Sequence, residues 1–131
     1  MTTDDRYEVS ADEVRRFTED GFLVVPQLVS PDEIQELRAH CEEIAAGELT
    51  IPGRIEPPAA DATPEQIKQH NVRIHQLHFV HELHERYLLH PRALDVLEGL
   101  IGPDVMAMQT MLFLKKPGQV GQGYHQDSFY I

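Results

Sequence analysis

The chain has 131 residues, a length that suits one domain, and its 41% hydrophobic content is enough for a modest core. Its 22 acidic residues outnumber 11 basic ones, and a net charge of −11 disfavours nucleic acid, whose phosphates would be repelled. Because no apolar run approaches the roughly 20 residues that span a bilayer, and because "MTTDDRYEVS" is unlike a signal or transit peptide, we expect a soluble, cytoplasmic protein.

The first 47 residues predict two helices, each opened by a capping box. The pattern Ser-x-x-Glu occurs at residues 10–13 and 30–33, where the serine would cap the helix and the glutamate would return the hydrogen bond. A proline follows the second serine, and Gly21 and Gly47 are placed to end the two helices. Cys41 lies on the apolar face of the second helix, so we expect it to be buried. As the only cysteine, it excludes a disulfide within the chain.

The middle of the chain predicts short elements. Residues 22–25, "FLVV", are rich in strand-forming residues and are closed by Pro26, which is typical of a strand. Residues 48–63 are rich in proline and alanine without a period, so they predict a loop. Three helical segments are then expected: a short helix after Pro64, residues 79–90, and the stretch from Pro91 to Gly102.

A nearly continuous apolar run, residues 104–114, follows Gly102 and Pro103. The run is too short to span a membrane and contains many strand formers, so it predicts a strand that is buried on both faces. Gln109 is the one amide in this run, and either a tertiary hydrogen bond or a ligand would satisfy it. Residues 115–123 predict a glycine-rich turn, and the residues after it predict the start of another strand.

A histidine and an aspartate stand two apart in this last segment, "GYHQDSFYI". Side chains alternate between the faces of a strand, so His125 and Asp127 would project from one face with their Cα atoms about 6 to 7 Å apart, while Gln126 points away. Their heads could converge on one ion. One carboxylate and two imidazoles form the facial triad of non-haem iron(II) oxygenases. The two-residue spacing alone has little specificity, so its context decides.

The order of these features resembles the phytanoyl-CoA dioxygenase family. The matching stretches are "GFLVV" followed by a helix that begins at Ser-Pro, then "IGPDVMAMQTMLFLKKPG", and then "HQD". The resemblance extends from about Gly21 to Ile131. It implies an α+β fold in which N-terminal helices pack on the first strands of a double-stranded β-helix, or jelly roll. It also implies an iron(II)- and 2-oxoglutarate-dependent dioxygenase that uses dioxygen to hydroxylate an unactivated C–H bond of a small organic substrate.

The resemblance also implies roles for individual residues. His125 and Asp127 would bind iron, and Gln109 and Met111 would line the 2-oxoglutarate pocket. A pocket-lining lysine of the family aligns loosely with His75. The family's distal iron-binding histidine and its 2-oxoglutarate-binding arginine come well after the His-x-Asp segment, and a jelly roll needs about eight strands. We therefore expect residues 1–131 to be the N-terminal part of a single domain that a C-terminal half or a second chain completes.

Histidines crowd residues 70–90 and offer a second interpretation. His78, His81 and His84 are spaced by three, so neighbouring pairs would share a helix face and could hold zinc. However, "HELH" is one residue short of the His-Glu-x-x-His pattern of metalloproteases. The simpler interpretation is a set of solvated or locally hydrogen-bonded surface histidines. The alternatives to an oxygenase are a histidine-rich zinc-binding or interaction module and a non-catalytic fragment whose acidic surface meets a partner protein.

Overall fold

A small antiparallel sheet and a set of short helices form the regular structure of the chain. The computed structural model describes residues 6–70, 73–115, 117–118 and 120–127. In chain order the elements are α1 (Ala11–Asp20), α2 (Pro31–Ala46), α3 (Pro64–His70), β1 (Arg73–His75), a 3₁₀ turn (Leu77–Phe79), α4 (Glu82–Leu88), α5 (Pro91–Ile101) and β2 (Met111–Phe113).

The capping boxes of α1 and α2 are confirmed. In α2 the Ser30 hydroxyl accepts a hydrogen bond from the backbone N–H of Glu33 at 3.2 Å, and the Glu33 carboxylate accepts one from the Ser30 N–H at 2.6 Å. The equivalent pair opens α1. Gly21 and Gly47 end the two helices with φ values of 79° and 75°, a left-handed conformation that glycine adopts without a steric penalty. These ends follow from local sequence.

Glu33 also ties α2 to the beginning of α5. Besides capping α2, its carboxylate accepts a hydrogen bond from His90 Nε2 at 3.0 Å and forms an ion pair with Arg92. Burial opposes its ionisation, but the hydrogen bonds from Ser30 and His90 outweigh that effect and lower the pKa of Glu33 to about 2. One carboxylate therefore joins two helices that are far apart in sequence.

The residues before α1 are held against α5. Asp95 is buried, accepts a hydrogen bond from the backbone N–H of Tyr7 at 2.9 Å and forms an ion pair with Arg6. The hydrogen bond from Arg6 lowers the pKa of Asp95. One turn further along α5, Gly99 leaves room for Val9, because a Cβ atom at Gly99 would lie 2.6 Å from Val9 Cγ2. This close approach requires glycine.

The apolar core lies under one face of the sheet. Strand β1 pairs with β2 in antiparallel register, with Ile74 opposite Leu112. Both side chains face the core, since the faces of a strand alternate. The fully and partly buried members of this core are Ile44, Leu49, Ile51, Ile55, Ile74, Leu77, Leu112 and Leu114. The opposite face of the sheet carries the residues of the cleft described below.

The predicted strands are absent or shorter than expected in the residues that the structure describes. Residues 22–25 are not in a strand, and Phe22 is 64% exposed, because no strand within the described ranges lies beside them to pair with their backbone. Residues 104–114 form a strand only at Met111–Phe113, since β1 offers just three partners, and Met106 is 81% exposed rather than buried. Residues 120–126 have no regular secondary structure, and Asp127 has a 3₁₀ conformation. Residues 128–131, where the last predicted strand would continue, lie outside the described residues.

The helix predicted for residues 79–90 is interrupted. The 3₁₀ turn ends at Phe79, and α4 begins only at Glu82, because His81 adopts an extended conformation as its N-cap. The helices after Pro64 and Pro91 are confirmed, as is the loop of residues 48–63 apart from an isolated bridge between Ile51 and Ile55. The mixed class of helices with a sheet is confirmed. The described ranges contain one two-stranded sheet, and the jelly roll stays a prediction.

Candidate active site

A cleft of about 770 Å³ lies on the face of the sheet opposite the core. The register places Arg73 opposite Phe113 and His75 opposite Met111, so these four side chains point away from the core together. The segment after the glycine-rich turn forms the facing wall. The residues that line the cleft are Arg73, His75, Gln109, Met111, Phe113, Gln122, Gly123, Tyr124, His125 and Asp127.

The cleft brings together the residues that the sequence analysis selected. Gln109, Met111, His125 and Asp127 all line this one cleft. His75 is also in the cleft, where its ring packs edge-on against Phe113 with 5.9 Å between the ring centroids. These residues are up to 52 positions apart in sequence. The β1–β2 pairing brings His75 next to Met111.

His125 and Asp127 face each other, although not from a strand. The His125 Nδ1 lies 2.8 Å from the carbonyl oxygen of Gly123, which can only accept, so Nδ1 is the protonated nitrogen. In a neutral ring the lone pair is then on Nε2, which lies 3.1 Å from Asp127 Oδ1. Two atoms that both offer lone pairs at this distance need a cation between them, either a proton or a metal ion.

The separation of these two atoms fits a metal ion. Bonds of about 2.0 to 2.2 Å to imidazole nitrogen and carboxylate oxygen, at right angles, place the two ligand atoms about 3 Å apart. The backbone hydrogen bond at Nδ1 is the usual way in which a metal-binding imidazole is oriented. Within the ranges that the structure describes, no group of three or more His, Cys, Asp or Glu side chains is arranged to hold an ion. The described residues thus bring together two candidate ligand atoms, His125 Nε2 and Asp127 Oδ1.

The crowded histidines have other partners. His84 Nε2 lies 2.9 Å from Nε2 of His40, which is buried on α2, and the His40 and His81 rings pack with their centroids 4.6 Å apart. His81 Nδ1 accepts a hydrogen bond from the backbone N–H of Leu83 and so caps α4. The local hydrogen bonds expected of these residues are present. Burial, and then the neighbouring imidazole of His40, lower the pKa of His84 to about 4, so His84 is neutral at pH 7.

Cys41 matches its predicted packing role only in part. It is half-buried on α2, and burial raises the pKa of its thiol, which keeps the thiol protonated at neutral pH.

Sequence comparisons identify the family of the chain. The profile of the Phytanoyl-CoA dioxygenase (PhyH) family matches residues 17–131. The chain belongs to the phytanoyl-CoA dioxygenase family. It is 34% identical over 127 residues to "Phytanoyl-CoA dioxygenase, peroxisomal" of Mus musculus, in an alignment that covers 91% of this chain and 37% of that protein. The protein of the same name from Homo sapiens is 32% identical over 130 residues, with 91% and 37% covered. "Ectoine dioxygenase" of Stutzerimonas stutzeri (strain A1501) is 27% identical over 124 residues, with 92% and 37% covered.

The chain matches only part of the length of its relatives. This phytanoyl-CoA dioxygenase family chain spans little more than a third of the length of the curated proteins that it matches. No solved structure matches it. Among its described residues, no helix combines the length and the apolar character that crossing a membrane requires.

Arg73 is a residue of the cleft that the sequence analysis missed. Its guanidinium carbon lies 5.6 Å from the centre of the Phe113 ring, and its side chain shares the cleft with His75 and Met111. Arg73 thus places a permanent positive charge in the cleft of a chain whose net charge is −11. The alternation Arg-Ile-His around the buried Ile74 could have indicated it, because Arg73 and His75 must then share the other face.

Proposed function

We propose that this chain is part of an iron(II)- and 2-oxoglutarate-dependent dioxygenase that hydroxylates an unactivated C–H bond of a small organic substrate. The observation that supports this most directly is the 3.1 Å approach of His125 Nε2 and Asp127 Oδ1 at the wall of a cleft that also contains Gln109 and Met111. Iron(II) bound there would supply dioxygen activation, coupled to the decarboxylation of 2-oxoglutarate to succinate.

In this proposal His125 and Asp127 hold the metal. The imidazole supplies Nε2, because Nδ1 is engaged with the Gly123 carbonyl, and Asp127 supplies the anionic oxygen. A facial triad requires a third ligand. Since the chain spans only about a third of its relatives' length, we infer that it corresponds to their N-terminal part. The third ligand, the 2-oxoglutarate-binding arginine and the remaining jelly-roll strands would then come from the rest of the full-length protein.

The opposite wall of the cleft would receive the co-substrate. 2-Oxoglutarate carries two carboxylates, and Arg73 offers a planar guanidinium that can bind a carboxylate through two hydrogen bonds. Gln109 can donate from its amide and Met111 offers an apolar contact, so together they suit a ligand with polar ends and a short carbon chain. His75, packed against Phe113, adds a second nitrogen-bearing ring to the same wall.

The first prediction tests the metal site in the full-length protein. Asp127→Ala should lower 2-oxoglutarate-dependent succinate formation by at least about 100-fold, since changes merely behind metal ligands already cost about 10- to 100-fold. Asp104→Ala is the matched control, because Asp104 is an exposed aspartate outside the cleft. Iron(II) binding measured anaerobically should weaken in the first variant and stay unchanged in the second.

The zinc-site alternative gives a distinct outcome. Changing His81 and His84 together to alanine should leave succinate formation per folded molecule nearly unchanged, because neither residue lines the cleft. Activity should be measured at a temperature at which circular dichroism shows the variant to be folded. Loss of activity in the double variant with normal activity in Asp127→Ala would place the metal centre on the histidine cluster instead.

The cytoplasmic location stays a prediction. The mammalian relatives are named as peroxisomal proteins. Fractionation of cells that express the full-length protein from its own gene would test the location.

A further inference from the structure

The turn between β1 and α4 binds the backbone just before β2. The backbone N–H of Gln76 donates to the Thr110 carbonyl at 2.8 Å. The N–H of Thr110 donates to His78 Nδ1 at 3.3 Å, and the N–H of His78 approaches the Thr110 hydroxyl oxygen at 3.4 Å. That hydroxyl also lies 3.1 Å from His78 Nδ1. All three polar groups of Thr110 therefore have partners in the turn.

This contact lies directly behind the cleft. Thr110 separates Gln109 from Met111, and both of these neighbours line the cleft, whereas Thr110 contacts the turn. Since the β1–β2 pairing ends at His75 and Met111, the hydrogen bonds to Thr110 continue the attachment beyond the last ladder pair. Gln76 makes its bond from a left-handed conformation, with φ of 58° and ψ of 36°, which non-glycine residues adopt only where surrounding contacts require it.

The chemistry at Thr110 depends on one nitrogen of His78. To accept from the Thr110 N–H, Nδ1 must carry a lone pair, so the proton of the neutral ring is on Nε2. A side chain with an acceptor at the Nδ1 position can therefore replace histidine, whereas one with its acceptor further from the backbone cannot.

We propose that His78 is a positioning residue that acts through Thr110 to hold Gln109 and Met111 at the wall of the cleft. The inference deepens the proposed function, on which it rests for the identity of the co-substrate. His78 itself does not line the cleft in the described part of the chain, so its effect on 2-oxoglutarate would be indirect. This gives one of the crowded histidines a role that is unrelated to metal binding.

The test compares two isosteric replacements in the full-length protein. His78→Asn keeps an acceptor oxygen near the position of Nδ1, while His78→Gln moves the amide outward toward the position of Nε2. We expect His78→Gln to raise the KM for 2-oxoglutarate about 3- to 10-fold, the range that one hydrogen bond supports, with a smaller change in kcat. His78→Asn should stay within about twofold of the wild type. Thr110→Val, which replaces the hydroxyl with a methyl group and keeps the backbone N–H, should show a smaller increase than His78→Gln.

A second readout does not depend on catalysis. Hydrogen–deuterium exchange of the metal-free protein should be about 3- to 10-fold faster in His78→Gln for the peptide that contains residues 109–113, and it should be unchanged for peptides of α2. His78→Asn should show wild-type exchange. Equal exchange and equal KM in the wild type and His78→Gln would overturn the inference. Absence of 2-oxoglutarate turnover in the wild type, with the exchange difference present, would overturn the proposed function and leave the positioning contact in place.

Discussion

Acidification should destabilise the protein through the His40–His84 pair. The two Nε2 atoms are 2.9 Å apart, so one Nε2 donates a hydrogen bond and the other accepts it. If both Nε2 atoms carried a hydrogen, as they would with both rings charged, they would repel each other. Burial is the main cause that lowers the pKa of each residue. His81 also lowers the pKa of His40, while Glu43 and Glu36 on α2 raise it. The pKa of His40 is still lowered overall.

The sign and size of the effect follow from His84. Its pKa is about 4 in the folded chain against an ordinary value of 6.5, so above pH 6.5 neither state gains a proton. As the pH falls from 6.5 toward 4, His84 becomes protonated in the unfolded chain but stays neutral in the folded chain. The free energy of unfolding therefore decreases by up to about 1.4 kcal/mol per pH unit. The pKa of Glu33 is lowered from 4.5, so its own acid-induced loss begins only below that pH. Between pH 6.5 and 4.5, partial solvent contact limits the expected loss from His84 to about 2 kcal/mol.

Urea denaturation of the full-length protein at pH 7.0 and pH 5.0 measures this loss. His84→Phe keeps an aromatic ring but removes the titrating group, so the difference in unfolding free energy between the two pH values should shrink by about 1 to 2 kcal/mol, whatever the variant's absolute stability. His70→Gln removes an exposed imidazole from α3 and controls for the loss of one histidine. An unchanged pH difference in His84→Phe would refute the assignment of the acid sensitivity to this pair.

Three further outcomes follow from the structure. Gly99→Ala should lower the free energy of unfolding by about 1 to 3 kcal/mol, because the new methyl group would overlap Val9, and adding Val9→Ala should restore part of the loss in the same urea assay. Ser30→Ala should lower it by about 1 kcal/mol through loss of the α2 cap, while Ser30→Asp, which keeps a capping oxygen, should lower it less. The 131-residue chain alone should bind iron(II) weakly, since two protein ligands leave most of the ion's positions to water. It should form no succinate from 2-oxoglutarate until the rest of the protein is added. Robust succinate formation by the chain alone would show that another histidine completes the triad.

The sequence predicted the ends of α1 and α2 well because their causes are local. A serine, a glutamate three residues later and a glycine at the other end determine where α2 begins and ends, and all these contacts fall within one element. Strands failed for the converse reason, since a strand exists only where another backbone pairs with it. Residues 22–25 have the composition of a strand but no pairing partner in the described ranges, so the predicted strand is absent there. Strand β1 was not predicted, and it forms because β2 pairs with it.

The candidate site was predicted in composition but not in its supporting structure. His125 and Asp127 were expected to face the same way because of strand alternation. They instead converge from a segment without regular secondary structure, where His125 is hydrogen-bonded to the Gly123 carbonyl. Their proximity therefore agrees with the prediction for a different reason. The contact between His78 and Thr110 could not be predicted, because it joins residues 32 positions apart next to the β1–β2 pairing. Arg73, in contrast, could have been found from the alternation Arg-Ile-His.

This register links the core and the cleft so closely that neither can change alone. Ile74 and Leu112 face the core because they are the middle pair of the ladder, and the same alternation sends Arg73, His75 and Met111 into the cleft. A slip of one residue in β2 would bring Met111 or Phe113 into the core and turn Leu112 toward the cleft. The hydrogen bonds that fix Thr110 resist such a slip at the end of the ladder where Gln109 and Met111 meet the cleft. In our proposal the contact that positions Gln109 and Met111 therefore also supports the register that buries Ile74 and Leu112, so exchange rates and KM are measured together.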